Sequence, residues 1–142
     1  RMAEKIIKAC GGTVDGKTIA MLGLTFKPNT DDMRESPSLD IVTGLQNAGA
    51  EIRAFDPEGM EAARNMMKDV TWCQDAYDAI AGADAVSIVT EWNQFRALDL
   101  KRAKKLIKTP VMIDLRNIYN PDDMAEAGFR YFSIGRATIK PI

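Results

Sequence analysis

Histidine is absent from all 142 residues, and that absence excludes more chemistry than any other feature of the composition. A Ser-His-Asp or Cys-His nucleophile, an imidazole proton shuttle and a His-ligated zinc site all need the missing side chain. None of them can be completed within this chain. Cysteine is scarce: Cys10 and Cys73 are too far apart for a C-x-x-C motif and too few for a disulfide framework. A reducing compartment, and from it the cytoplasm, is the expectation. Long apolar runs are missing too. The stretches Ile19 to Leu24 and Ala85 to Val89 fall far short of the roughly 20 residues that span a bilayer, and no signal-peptide pattern opens the chain, so a membrane-embedded protein is not expected. Nor is there an excess of either charge. Nineteen Lys plus Arg against 20 Asp plus Glu leave a net charge of -1, unlike the strongly basic balance of a nucleic-acid-binding domain.

What is present is the composition of one core-forming domain, 46% hydrophobic and 27% charged. Met2, Ile6 and Cys10 share a helical face with Ala9 beside them, and Gly11-Gly12 ends the helix. It has no N-cap, and isolated helices under about 12 residues are marginal in water. Residues 1–12 therefore read as the tail of a longer helix with more chain before Arg1, and 13–142 as the domain proper.

From Lys17 onward, short apolar runs alternate with helical periods. Strands are predicted at Thr18 to Leu24, Glu51 to Phe55, Val70 to Cys73, Ala85 to Thr90, Val111 to Leu115 and Arg130 to Ile134. Helices are predicted at Pro37 to Ala48, Gly59 to Lys68, Asp75 to Ala81, Asp99 to Ile107 and Asp122 to Ala127. The first of these is the best marked, with Ser36 as N-cap, Pro37 at N1, Leu39, Val42 and Leu45 facing inward, and Gly49 past its end. The alternation predicts an α/β fold, a Rossmann-like doubly wound parallel sheet of about six strands.

Ligands of such sheets sit beyond the carboxyl ends of the strands, so the residues just past each strand are the candidates. The first junction, Gly23 to Ser36, is far longer than the usual βα loop. It lacks G-x-G-x-x-G, so Lys27 and Arg34 would have to hold an anion through their side chains. The equal alternative is that the two only offset Asp31, Asp32 and Glu35 on a solvated loop. Arg116, after the fifth strand, could grip a phosphate with its guanidinium fork or form a salt bridge to Asp114 or another nearby carboxylate. Trp92 and Phe95 could wall a base pocket; packing against a helix is the more common role. Asp56 stands where a ribose-binding carboxylate often stands, but Asp56-Pro57 reads better as a turn. Arg136 has too little context to read. The run Lys101, Arg102, Lys104, Lys105 and Lys108 reads as a solvated face over the inward stripe Leu100, Ala103 and Ile107. Met66, Met67 and the two thiols read as packing residues.

Three motifs in order, Gly23-Leu24-Thr25-Phe26-Lys27-Pro28 with Thr30 to Pro37, then Thr90-Glu91-Trp92, then Asp114-Leu115-Arg116-Asn117, resemble the C-terminal domain of the UDP-glucose/GDP-mannose dehydrogenase family over residues 16–136. The first loop looks most like the UDP-glucose branch, with the GDP-mannose and UDP-N-acetylmannosamine branches as alternatives. The resemblance implies an N-terminal NAD-binding domain in the same polypeptide, a central helix that builds a homodimer and ends at residues 1–12, and a UDP-sugar-binding domain here. It implies oxidation of the sugar C6 alcohol to a carboxylate with two NAD, through a cysteine that lies upstream and matches neither Cys10 nor Cys73. No catalytic residue is therefore expected in this chain. Phe26, Lys27 and Arg116 match positions that contact the nucleotide sugar, and Arg34 matches one that reaches NAD. Glu91 and Trp92 belong to the pattern with no contact assigned. On this view Lys27 and Arg116, at the tips of two neighbouring strands, jointly grip a uridine diphosphate. The competing reading is a stand-alone Rossmann-like binding or regulatory module.

Overall fold

In the computed structural model, which describes residues 2–34, 36–134 and 139–141, six parallel strands form one sheet. They are β1 (Thr18–Leu22), β2 (Glu51–Phe55), β3 (Val70–Trp72), β4 (Ala85–Ile88), β5 (Val111–Asp114) and β6 (Arg130–Ser133), in the order β3-β2-β1-β4-β5-β6. The order reverses between β1 and β4, whose pairing runs from Ile19 opposite Ala85 to Leu22 opposite Ile88. All four residues of β4 and all four of β5 are buried. This is why those strands are apolar throughout, not alternating: helices cover both faces of the sheet.

The period-two alternation of β1 shows the two layers. Ile19 and Met21 point into a core shared with α1 (Met2–Ala9), α2 (Ser38–Asn47) and Ala63 of α3 (Met60–Arg64). Ala20 and Leu22 point into the opposite core, with residues of α4 (Ala76–Ile80), α5 (Asn93–Arg96), α6 (Leu100–Leu106) and α7 (Pro121–Glu126). The doubly wound arrangement expected from the strand and helix alternation is thus present. No helix among the described residues is long and apolar enough to cross a membrane.

The differences from expectation are local. On α1 the buried residues are Ala3, Ile6 and Ala9, while Met2 and Cys10 are only half-buried. The cause is close packing on α2: a methyl at Gly44 would lie 2.8 Å from the Ala3 Cβ, so small residues occupy the contact. On α2, Ile41 is buried and Leu39 only partly so. Pro37 is already helical, and Ser36 Oγ accepts the Ser38 N–H at 3.2 Å, the bond a cap makes. The helix α5 is a single turn, too short to show a period in the sequence. Arg1, Glu35 and Arg136 lie outside the described residues.

Candidate functional site

The carboxyl edge of the sheet is organised by two buried carboxylates, one on each side of β4. At the end of β2, Asp56 is fully buried. Its Oδ1 accepts the N–H groups of Glu58 at 2.9 Å and Gly59 at 2.7 Å, the turn expected of Asp56-Pro57. Its Oδ2 does more, accepting the N–H of Leu24 at 2.7 Å, that of Thr25 at 3.2 Å and the indole N–H of Trp92 at 3.2 Å. With its acceptors committed inside the fold, Asp56 is not disposed to hold a ribose.

These bonds fix the base of the first loop. Gly23 has φ +98°, and a methyl there would lie 2.5 Å from the Thr90 amide nitrogen, so only glycine lets β1 turn this close to the tip of β4. The Thr90 hydroxyl donates to the Thr25 carbonyl at 2.7 Å, and the Thr25 hydroxyl donates to the Lys27 carbonyl at 3.0 Å. Ser36 and Ser38 close the far side by donating to the Leu24 carbonyl at 2.6 and 2.7 Å. Beyond this anchored base, Phe26 is 42% exposed and Lys27 is exposed, with no ion pair among the described residues. Arg34 is also exposed and makes a two-point bond with Asp32, at 3.1 and 3.0 Å. That guanidinium's hydrogen bond is the main reason the Asp32 carboxyl is held below its usual range.

At the end of β5, Asp114 is fully buried as well. It accepts the Arg116 N–H at 3.0 Å, those of Ile118 and Tyr119 at 2.8 and 3.1 Å, and the Tyr131 hydroxyl at 2.6 Å. The Tyr119 hydroxyl donates to the Phe95 carbonyl, and burial above all pushes its ionisation upward. Asn117, in the left-handed region at φ 55°, clasps Ile134 through its amide at 3.1 and 3.0 Å. The Arg116 side chain turns away from Asp114 to Glu91 Oε2, at 2.8 Å. Burial pushes the Glu91 carboxyl up, but the hydrogen bond and charge of Arg116, with a backbone N–H and Arg96, hold it below its usual range.

Lys27 and Arg116 therefore leave the same edge of a parallel sheet, but not from neighbouring strands as expected: β4 lies between β1 and β5. What joins the two sides is the tip of β4, where Thr90 holds the first loop and Glu91 holds Arg116. The ion-pair alternatives raised by the sequence are met in part: Arg34 pairs with Asp32 while Lys27 has no ion pair among the described residues, and Arg116 pairs with Glu91 and not with Asp114. Trp92 and Phe95 are buried packing residues, the latter edge-on to Phe55. The basic residues of α6 are exposed, with Arg102 stacked 3.9 Å over the Tyr77 ring. Cys10 and Cys73 are free, and burial pushes both thiols up. Sequence reasoning assigned Thr90 and Glu91 no contact and offered Asp114 only as an ion-pair partner of Arg116, not as the buried acceptor it is. The Thr-Glu-Trp motif was visible, but its partners lie 25 to 65 residues away.

Residues 20–121 match the UDP-glucose/GDP-mannose dehydrogenase family, UDP binding domain. Over 135 residues the chain is 56% identical to the UDP-glucose 6-dehydrogenase of Rhizobium meliloti (strain 1021), covering 95% of this chain and 31% of that protein. A solved NDP-N-acetyl-D-galactosaminuronic acid dehydrogenase from Methanosarcina mazei Go1 matches with a TM-score of 0.78 at 29% identity, over 93% of this chain and 27% of that one. A UDP-glucose dehydrogenase from the hyperthermophilic archaeon Pyrobaculum islandicum matches with a TM-score of 0.68 at 34% identity, over 79% and 24% respectively. The chain thus spans under a third of the length of the relatives it matches.

Proposed function

The chain belongs to the UDP-glucose/GDP-mannose dehydrogenase family, and from that premise we propose that it is the UDP-sugar-binding domain of an NAD-dependent UDP-glucose 6-dehydrogenase. The whole protein would oxidise UDP-glucose to UDP-glucuronate in the cytoplasm, as a homodimer. Residues 1–12 would end the helix leading from its NAD-binding domain. In this reading Phe26, Lys27 and Arg116 bind the nucleotide sugar, and no side chain of this chain takes part in bond making.

The observation that carries the reading is the seam at the β4 tip, which places an uncommitted lysine, an exposed aromatic ring and a guanidinium along one sheet edge. A diphosphate needs such cationic donors. Lys27 supplies a mobile point charge, and Arg116 keeps N–H donors beyond the one given to Glu91. Phe26 offers an apolar face to the rest of the ligand. Closure of a second domain over this edge would exclude water and strengthen each contact.

NAD would supply the hydride acceptor. This chain fits only a minor share of its binding, since it has no glycine-rich phosphate loop and Asp56 is committed to the fold. Arg34, 88% exposed, is the group it offers to that cofactor.

Titrating the full-length protein with UDP-glucose, GDP-mannose and UDP-N-acetylmannosamine, followed by NADH absorbance, tests the reading. Turnover with UDP-glucose well above the other two is expected. Preference for either of the others would reassign the sugar, and absence of NADH with all three would refute the dehydrogenase.

A further inference from the structure

We infer that Glu91 is a positioning residue: it aims the Arg116 guanidinium along the carboxyl edge of the sheet and thereby prepares it to receive a nucleotide diphosphate. This rests on the reading of Arg116 as a ligand-binding residue.

The backbone of Arg116 is held independently of Glu91. Its own N–H is bonded to Asp114, and the next residue, Asn117, is clasped to Ile134. What the backbone leaves open is the direction of a long, flexible side chain. Glu91 Oε2, 2.8 Å from Nη2, removes that freedom. Glu91 itself stands on a rigid mount, because Thr90 before it is bonded to the first loop and Trp92 after it is bonded to Asp56. A group held in its binding direction before the ligand arrives loses less freedom on binding.

Stability alone accounts poorly for this pair. The other oxygen of the carboxylate, Oε1, is buried with no hydrogen-bond partner among the described residues, so the ionic contact made by Oε2 is set against the uncompensated desolvation of Oε1. A buried, unpartnered carboxylate oxygen is costly, and such costs are retained where they serve a site. Among the described residues the bond from Nη2 is the guanidinium's one side-chain bond, and the Arg116 side chain is 32% exposed, so it retains N–H donors for a ligand, as a positioning contact must allow.

The test measures binding of UDP to the full-length protein by calorimetry, for Glu91→Ala, Glu91→Gln, Arg116→Ala and the double variants. Glu91→Ala is expected to raise the Kd roughly tenfold, the scale of one misaligned charge-assisted hydrogen bond. Glu91→Gln should recover part of this, because its amide oxygen still accepts from Nη2. Combining either Glu91 variant with Arg116→Ala should bind no more weakly than Arg116→Ala alone, since Glu91 acts through Arg116. Additive losses, or a Glu91→Ala protein that binds UDP as tightly as the parent or tighter while Arg116→Ala binds weakly, would overturn the inference. If Arg116→Ala leaves UDP affinity unchanged, the reading of the site fails with it. Should Glu91→Ala not fold, the Glu91→Gln cycle decides by the same comparison.

Discussion

The indole N–H of Trp92 donates to Oδ2 of Asp56 at 3.2 Å, tying the tip of β4 to the tip of β2 across the end of β1. Because the same oxygen receives the Leu24 and Thr25 N–H groups, three strand ends converge on one buried carboxylate. Asp56→Ala should cost about 3–5 kcal/mol, since several buried donors lose their acceptor at about 1–3 kcal/mol each and water relieves only some of them. Trp92→Phe orphans a single acceptor site and should cost about 1–2 kcal/mol. Urea unfolding followed by circular dichroism ranks the two, and equal costs would contradict the convergence.

Gly23→Ala tests the approach of β1 to β4. The added methyl would meet the Thr90 nitrogen at 2.5 Å and its Cβ at 2.6 Å, in a backbone of φ +98°. A loss of at least about 2 kcal/mol in the same unfolding assay is expected from strain and displacement together. Gly82→Ala, also at positive φ but with open space around it, should cost less.

In the full-length protein, Lys27→Ala and Arg116→Ala should each weaken nucleotide-sugar binding by about 1.5–3 kcal/mol, the usual size of a hydrogen bond to a charged group. Arg34→Ala should instead raise the NAD concentration required. Unchanged sugar affinity in the first two, or an effect of Arg34→Ala confined to the sugar, would show the roles misplaced.

Acid should weaken the Arg116–Glu91 pair in a defined direction. The Glu91 carboxyl is held below its ordinary value of 4.5: burial pushes it up, but the Arg116 hydrogen bond and the nearby charges outweigh that. A depressed folded value means that the stabilisation is complete above the unfolded value and is lost as pH falls through the folded one. The stability gap between the parent and Glu91→Gln should therefore hold from neutrality to about 4.5 and narrow below it. Urea midpoints over a pH series measure this, and a gap that persists unchanged into strong acid would contradict it.

Much of this was legible in local spacing. The strands at Glu51–Phe55 and Val111–Asp114, and the long loop after β1, follow from apolar runs and glycine punctuation, which act over a few residues. The motifs carrying Phe26, Lys27 and Arg116 could be read in order along the chain. Asp56 as a turn residue was legible, because Glu58 and Gly59 are its immediate neighbours. Its bonds to Leu24, Thr25 and Trp92 were not, since nothing near Asp56 in the chain marks residues more than 30 positions away.

The sequence by itself determined the alternation of strands and helices, the absence of imidazole chemistry and the cations available beyond the strand ends, because propensity, period and composition are properties of the chain alone. Only the tertiary structure decided which carboxylate meets which cation. Arg116 has Asp114 two residues before it, yet its guanidinium pairs with Glu91, 25 residues away. The reason is that backbone N–H groups and Tyr131 already occupy Asp114, while the strand order brings the β4 tip alongside β5.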